Sequence, residues 1–189
     1  MPDTIRDGVG HGFLAQVDSK NRLHGYNVVE QEAEWINRVE KEMYSGSWDG
    51  GITSTAADDV IVYLKNTSSK DLIITRIKHR CTGANGTISF WVNMDGTPGG
   101  VLTTLTPANR NAGSNNVADC EYYKSADITG LSGGRKIGSV YGKADEEFEY
   151  ADPCSGFIVP PNANFAIKTS SNTVTHYGGI GFYFRDQEV

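Results

Sequence analysis

The sequence predicts a mainly β protein, an antiparallel β-sandwich of jelly-roll-like type, preceded by an N-terminal arm and one amphipathic α-helix. Three observations carry this. Beyond Gly50-Gly51 the chain is a succession of short segments rich in Val, Ile, Tyr and Phe, separated by Gly, Pro, Asn and Asp clusters. No helical periodicity interrupts that succession, so parallel βαβ units are excluded and two packed antiparallel sheets remain. Helical spacing occurs only before Gly50, which divides the chain into an arm with its helix over residues 1–50 and a sandwich body over 51–189.

The arm begins with Asp7-Gly-Val-Gly-His-Gly12, which lacks the preceding strand and following Lys-Ser/Thr of a phosphate loop. Residues Leu14 to Leu23 read as two short extended pieces joined by a polar turn at Asp18 to Asn21. From Val29 to Met43 the apolar residues Val29, Ala33, Ile36, Val39 and Met43 recur at spacings of four and three, one face of a helix. The opposite face carries Glu30, Glu32, Glu34, Arg38, Glu40, Lys41 and Glu42 and is read as solvated. A single helix cannot bury its own stripe, so the stripe packs on the β body, on a symmetry mate or on a foreign surface. Trp35 and Trp48 flank the helix and are read as anchors for the arm. The expected interface residues are therefore Val29, Ala33, Trp35, Ile36, Val39, Met43 and Trp48.

In the body, Val60 to Lys65 and Leu72 to Lys78 flank the polar stretch Asn66 to Asp71, a hairpin signal. Ile88, Phe90 and Val92 alternate with Ser89, Trp91 and Asn93, so one side enters a core. The stretch Asp95 to Gly100 is read as a turn or loop. Further strands are expected at Val101 to Leu105, near Val117 to Tyr123, at Lys136 to Tyr141 and at Phe148 to Tyr150. The ending is expected to run Gly156 to Pro160, a Pro-Pro-Asn turn, Phe165 to Lys168, and a last strand alternating Ile180, Phe182 and Phe184.

Composition bounds the function classes. A formal net charge of -6, with both signs mixed along the chain, argues against nucleic acid as a partner. No run approaches the ~20 apolar residues of a membrane span, and no signal peptide is visible, so no membrane partner and folding in a cytoplasm are expected. Cys81, Cys120 and Cys154 lack the CxxC spacing of a zinc or redox site and read as buried reduced thiols. The four histidines form no HxH or HExxH pair, and no Gly-x-Ser-x-Gly elbow is present, so neither a catalytic residue, a cofactor nor a metal is expected. The acidic run Asp145 to Asp152 is read as a solvated loop, salt-bridged to Arg135 or Lys143, with calcium binding as its alternative. Trp91, Tyr122, Tyr123, Tyr141 and Tyr177 are the candidates for a sugar-stacking platform.

Several short motifs, taken in order, resemble tailed-bacteriophage virion proteins. They are Asp7-Gly-Val-Gly, Val17-Asp18 and Asn21-Arg22-Leu23, the helix end near Tyr44, Tyr63-Leu-Lys-Asn-Thr67, Asp95-Gly-Thr-Pro98, Asn109 to Asn115 and Phe157-Ile-Val-Pro-Pro161. The resemblance spans nearly the whole chain. It implies a non-enzymatic capsid decoration or cement protein on the exterior of the virion. Its expected partners are the major capsid protein and itself, as a homo-oligomer with a trimer favoured. A tail or fibre component and a host-glycan-binding sandwich are the alternatives.

Overall fold

Strand-forming residues beyond position 42 assemble into two antiparallel sheets packed face to face. The computed structural model describes residues 4–5, 15–17, 23–25, 35–151, 156–171 and 174–187. Two units are distinguished by their internal contacts, Met1–Gln31 and Glu32–Val189. In the first, β1 (Thr4–Ile5), β2 (Ala15–Val17) and β3 (Leu23–Gly25) form a small antiparallel sheet in the order β1-β2-β3. Val17 pairs with Leu23, as expected of extended pieces joined by a turn.

The second unit contains β4 (Met43–Ser47), β5 (Ile52–Thr53), β6 (Val60–Asn66), β7 (Asp71–Thr82), β8 (Gly86–Gly99), β9 (Thr103–Thr104) and β10 (Ala108–Asn109). It continues with β11 (Cys120–Lys124), β12 (Thr129–Gly142), β13 (Glu147–Ala151), β14 (Phe157–Val159), β15 (Asn164–Thr169) and β16 (Thr175–Arg185). The seven-stranded sheet runs β10-β4-β16-β7-β13, with β14 also pairing β7 and β5 also pairing β16. The six-stranded sheet runs β12-β8-β15-β6-β11-β9. Taking β4, β6, β7, β8, β12, β13, β15 and β16 as first to eighth, one sheet reads first-eighth-third-sixth and the other second-seventh-fourth-fifth. That interleaving is the jelly-roll order.

The core lies between the sheets. Tyr44, Leu72, Ile74, Ile77, Ile180, Phe182 and Phe184 enter it from one side, and Ile61, Leu64, Ile88, Phe90, Tyr122, Phe165 and Ile167 from the other. The predicted alternation is observed along β8, and along β16 Ile180, Phe182 and Phe184 enter the core while Tyr183 packs in a separate cluster with Ile36. A second apolar layer covers the outer face of the six-stranded sheet, where Ile128, Leu102 and Leu131 close over Tyr63, Met94 and Ala166.

Four expectations are corrected. Within the described residues the helix is only a π-helical turn, Ile36–Glu40, stopped by Lys41 in the left-handed region (φ 59°, ψ 37°), whose N–H donates to the Ile36 carbonyl at 2.7 Å. Met43 is a strand residue paired with Tyr183, because the backbone of residues 43–47 completes β16 on its open side. Residues 32–50 thus belong with the sandwich, and the division between units falls at residue 31 instead of 50.

The strands β6 and β7 do not form a hairpin. They lie in different sheets, joined by an arch that crosses the core edge. Asn66, fully buried, fixes this arch: its amide donates to the carbonyls of Lys70 (2.7 Å) and Val159 (2.8 Å), and its Oδ1 accepts from the N–H and hydroxyl of Ser68. Four residues between the strands fit either connection, and the burial of both strand faces in a sandwich favours the crossing. Lastly, Asp95 to Gly99 continue β8 against β12 instead of looping, with Gly96 and Gly130 both at positive φ where the strands pass a bulge.

Candidate functional site

The expected interface residues scatter on folding. Val29 and Ala33 lie outside the described residues. Ile36 (2 % exposed) and Met43 pack with Ile73 and Tyr183 on the outer face of the seven-stranded sheet, so among the three destinations for the stripe, Ile36 takes the β body. Trp48 is fully buried in the sandwich core, an anchor of the body and not of the arm. Burial removes these three from any surface a partner touches. Trp35 (41 % exposed) and Val39 (47 % exposed) remain accessible.

The sugar-stacking platform is also dispersed. Tyr122 is in the core, Tyr123 stacks on Tyr63, Trp91 lies under Lys168 at 4.5 Å on the six-stranded side, and Tyr177 belongs to the other sheet. Trp91 and Tyr123 share the apolar layer on the outer face of the six-stranded sheet, while alternation turns Tyr122 into the core.

A groove of about 440 Å³ occupies the outer face of the seven-stranded sheet. Its origin is a row of missing side chains. Ser45 pairs with Gly181 and Ser47 with Gly179, so the centre of the face carries nothing larger than a hydroxymethyl. On the next strand, Gly181 pairs with Arg76, Gly179 with Lys78 and Tyr177 with Arg80. Cross-strand partners share a face, so Arg76, Lys78 and Arg80 form one wall of the trough. A register shift between Gly181 and Phe182 leaves Thr75 as the extra residue, which lets Ile74 and Ile77 enter the core while the three cations stay outside. Arg110 lines the groove beyond β10, its backbone N–H bonded to the Met43 carbonyl.

The carboxylates are unevenly shared. Arg76 meets Glu149 at 2.7 Å, and Lys78 meets Glu147 at 2.9 Å and Glu149 at 3.5 Å. The Arg76 hydrogen bond holds the Glu149 carboxyl below its usual range, and the Glu147 bond raises the Lys78 ammonium. The acidic run is therefore partly an edge strand whose cations come from β7. Lys143 does reach Glu146 at 3.5 Å, as expected, whereas Arg135 lies on β12 in the other sheet. Arg80 instead stacks on Tyr177 at 5.2 Å, and the Arg110 guanidinium touches the Met43 sulfur at 3.8 Å. Among the described residues neither has a carboxylate partner.

Beneath the trough lies a buried histidine pair. His79 Nε2 and His176 Nδ1 are 2.9 Å apart, and both rings are essentially inaccessible. Burial, and for His79 the neighbouring imidazole, holds His79 down to about 3; burial alone holds His176 down to about 4. Both are neutral at neutral pH, one donating and one accepting. Cys81, on the same strand, is a buried thiol raised by desolvation, and Cys120 is pushed up to about 12 by the same cause. Both are free, and both behave as small hydrophobes; Cys154 lies outside the described residues.

Sequence reasoning missed this trough. Its signals were the alternating Arg76, Lys78 and Arg80 and the Gly178-Gly179-Ile180-Gly181 stretch, which acquire meaning only when β7 and β16 are known to pair. No protein-family model, curated protein or solved structure matches the chain.

Proposed function

We propose that this protein is a non-enzymatic virion component that binds the outside of a tailed-phage capsid and stabilises it, attaching through its N-terminal unit. The observation that carries this reading is the division of the chain into a jelly-roll body and a separate unit of 31 residues whose strands are only two or three residues long. A unit of that size buries too little surface to be stable by itself, so it gains most from contact with a larger surface. The order of short motifs resembling phage virion proteins supports the same assignment. Stabilisation then follows by mass action, because a ligand that prefers the assembled shell over free subunits shifts assembly toward the shell.

Trp35 and Val39 narrow the attachment surface proposed from sequence. They are exposed apolar side chains immediately after the N-terminal unit, whereas Ile36, Met43 and Trp48 are interior. Removing residues 1–50 would delete β4 from beside β16 and unfold the sheet, so the informative truncation ends at Gln31.

The test is co-sedimentation with heads of the encoding phage that lack this protein. Saturable binding by the full chain, lost in the 32–189 chain and weakened by Trp35→Ser with Val39→Ser, is expected. Retained stoichiometry after removal of residues 1–31, with the truncated body shown folded by circular dichroism, would overturn the reading. Binding at only a few copies per particle would move the attachment to the tail.

A further inference from the structure

We propose that the trough on the outer face of the seven-stranded sheet is a binding site for a short acidic saccharide, one carrying carboxylates on its rings. Independent of where the protein docks, the argument begins with charge. The trough is lined by Arg76, Lys78, Arg80 and Arg110 against only Asp49 and Glu147, on a chain whose net charge is -6. A basic concavity on an acidic protein focuses anions locally. Two of its four cations are already neutralised by β13 carboxylates, and Arg80 and Arg110 are left to meet a ligand.

Position gives the size. Arg80 stands beside Tyr177 at one end, and Arg110 stands past Gly181, where its backbone meets Met43. From Tyr177 to Gly181 the strand advances roughly 13 Å at about 3.3 Å per residue, so the two arginines are rooted at opposite ends of a trough longer than one sugar ring. Between them the Gly179, Gly181, Ser45 and Ser47 floor allows close approach; Ser45 offers its hydroxyl, while the Ser47 hydroxyl already donates to Asp49 Oδ2 at 2.9 Å.

Chemistry selects among anions. Asp49 and Glu147 are acceptors inside the groove, which suits a ligand whose carboxylates are accompanied by hydroxyl donors, and inorganic phosphate has no such sugar hydroxyls to offer them. The Arg80 guanidinium already lies over the Tyr177 ring at 5.2 Å, a contact that restrains the side chain and leaves its N–H groups to take a carboxylate.

The test is calorimetric titration of the full chain with a tri-uronate, its methyl ester and inorganic phosphate. Saturable binding of the tri-uronate is expected, weakened roughly tenfold by Arg80→Gln and likewise by Arg110→Gln, each the loss of a charge-assisted contact. The neutral ester and phosphate should bind at least tenfold more weakly. Both arginines are exposed, so thermal melting should not change in either variant. Absence of saturable tri-uronate binding, indifference to both substitutions, or equal affinity for phosphate or for the ester would overturn the proposal. A fall in oligomeric mass on Arg80→Gln would do so too, by making the trough a protein interface.

Discussion

Acidification should unfold this protein through the His79–His176 pair, and the size of the effect follows from burial. Both rings are inaccessible and held neutral, with folded values of about 3 and about 4, against an ordinary value of 6.5. A depressed folded value means that the unfolded chain binds the proton first, so stability is complete above the unfolded value and is lost as pH falls through it. From pH 7 to pH 5 each unfolded imidazole gains about 1.9 kcal/mol of protonation free energy, and the folded rings gain almost none. The pair therefore costs about 4 kcal/mol over those two units, a large share of the ~5–15 kcal/mol available to a domain. Only the unfolded titration sets this figure, provided both folded values stay below 5. Chemical denaturation at pH 7, 6 and 5, followed by the fluorescence of buried Trp48, reads it directly. His176→Gln should remove about half of the pH dependence. His11 and His24 are common to both chains, so the difference isolates the pair. A loss of under ~1 kcal/mol between pH 7 and 5, or the same slope in His176→Gln, would refute the reasoning.

Gly46→Ala should destabilise the body by about 3 kcal/mol or more, because a Cβ there would overlap the Tyr122 ring, with Cδ1 at 2.9 Å; equilibrium denaturation measures it, and a change under ~1 kcal/mol would mean that the ring yields freely. Asn66→Ala removes four hydrogen bonds at the arch between the sheets, among them the amide donor to the buried Val159 carbonyl, so a loss of about 2–5 kcal/mol is expected in the same assay. Ile36→Asp should lower the melting temperature of the isolated protein at any concentration, since Ile36 is covered by Met43, Ile73 and Tyr183 of its own chain; an unchanged melt would return it to the interface. Glu149→Gln, at a half-exposed pair with Arg76, should change stability by less than about 1 kcal/mol, a null that also checks that the acidic strand is held by its backbone.

Local pattern was enough for the class and for most strands of the body, but not for β4, which it read as the end of a helix, or for the far end of β8, which it read as a loop. Alternation at Ile88, Phe90 and Val92, and again at Ile180, Phe182 and Phe184, reports which side is buried because adjacent strand residues face opposite ways, whatever the partner strand is. The same information does not say which strand is the partner. Asn66 to Asp71 reads as a turn in either case, and only the three-dimensional packing makes it an arch between sheets instead of a hairpin within one. Met43 continues a helical spacing that began at Val29, yet hydrogen bonding to β16 outweighs a weak local preference once the sheet exists. The trough depends on pairing most of all. Ser45 and Gly181 lie 136 residues apart, and their conjunction empties the face only because β4, β16 and β7 are neighbours in that register. The sequence by itself thus determined the class and most strands of the body, through periodicities that act over a few residues. Tertiary structure decided the connections, the fate of the apolar stripe and the existence of a site, because those depend on contacts whose loop-closure and packing terms no local window contains.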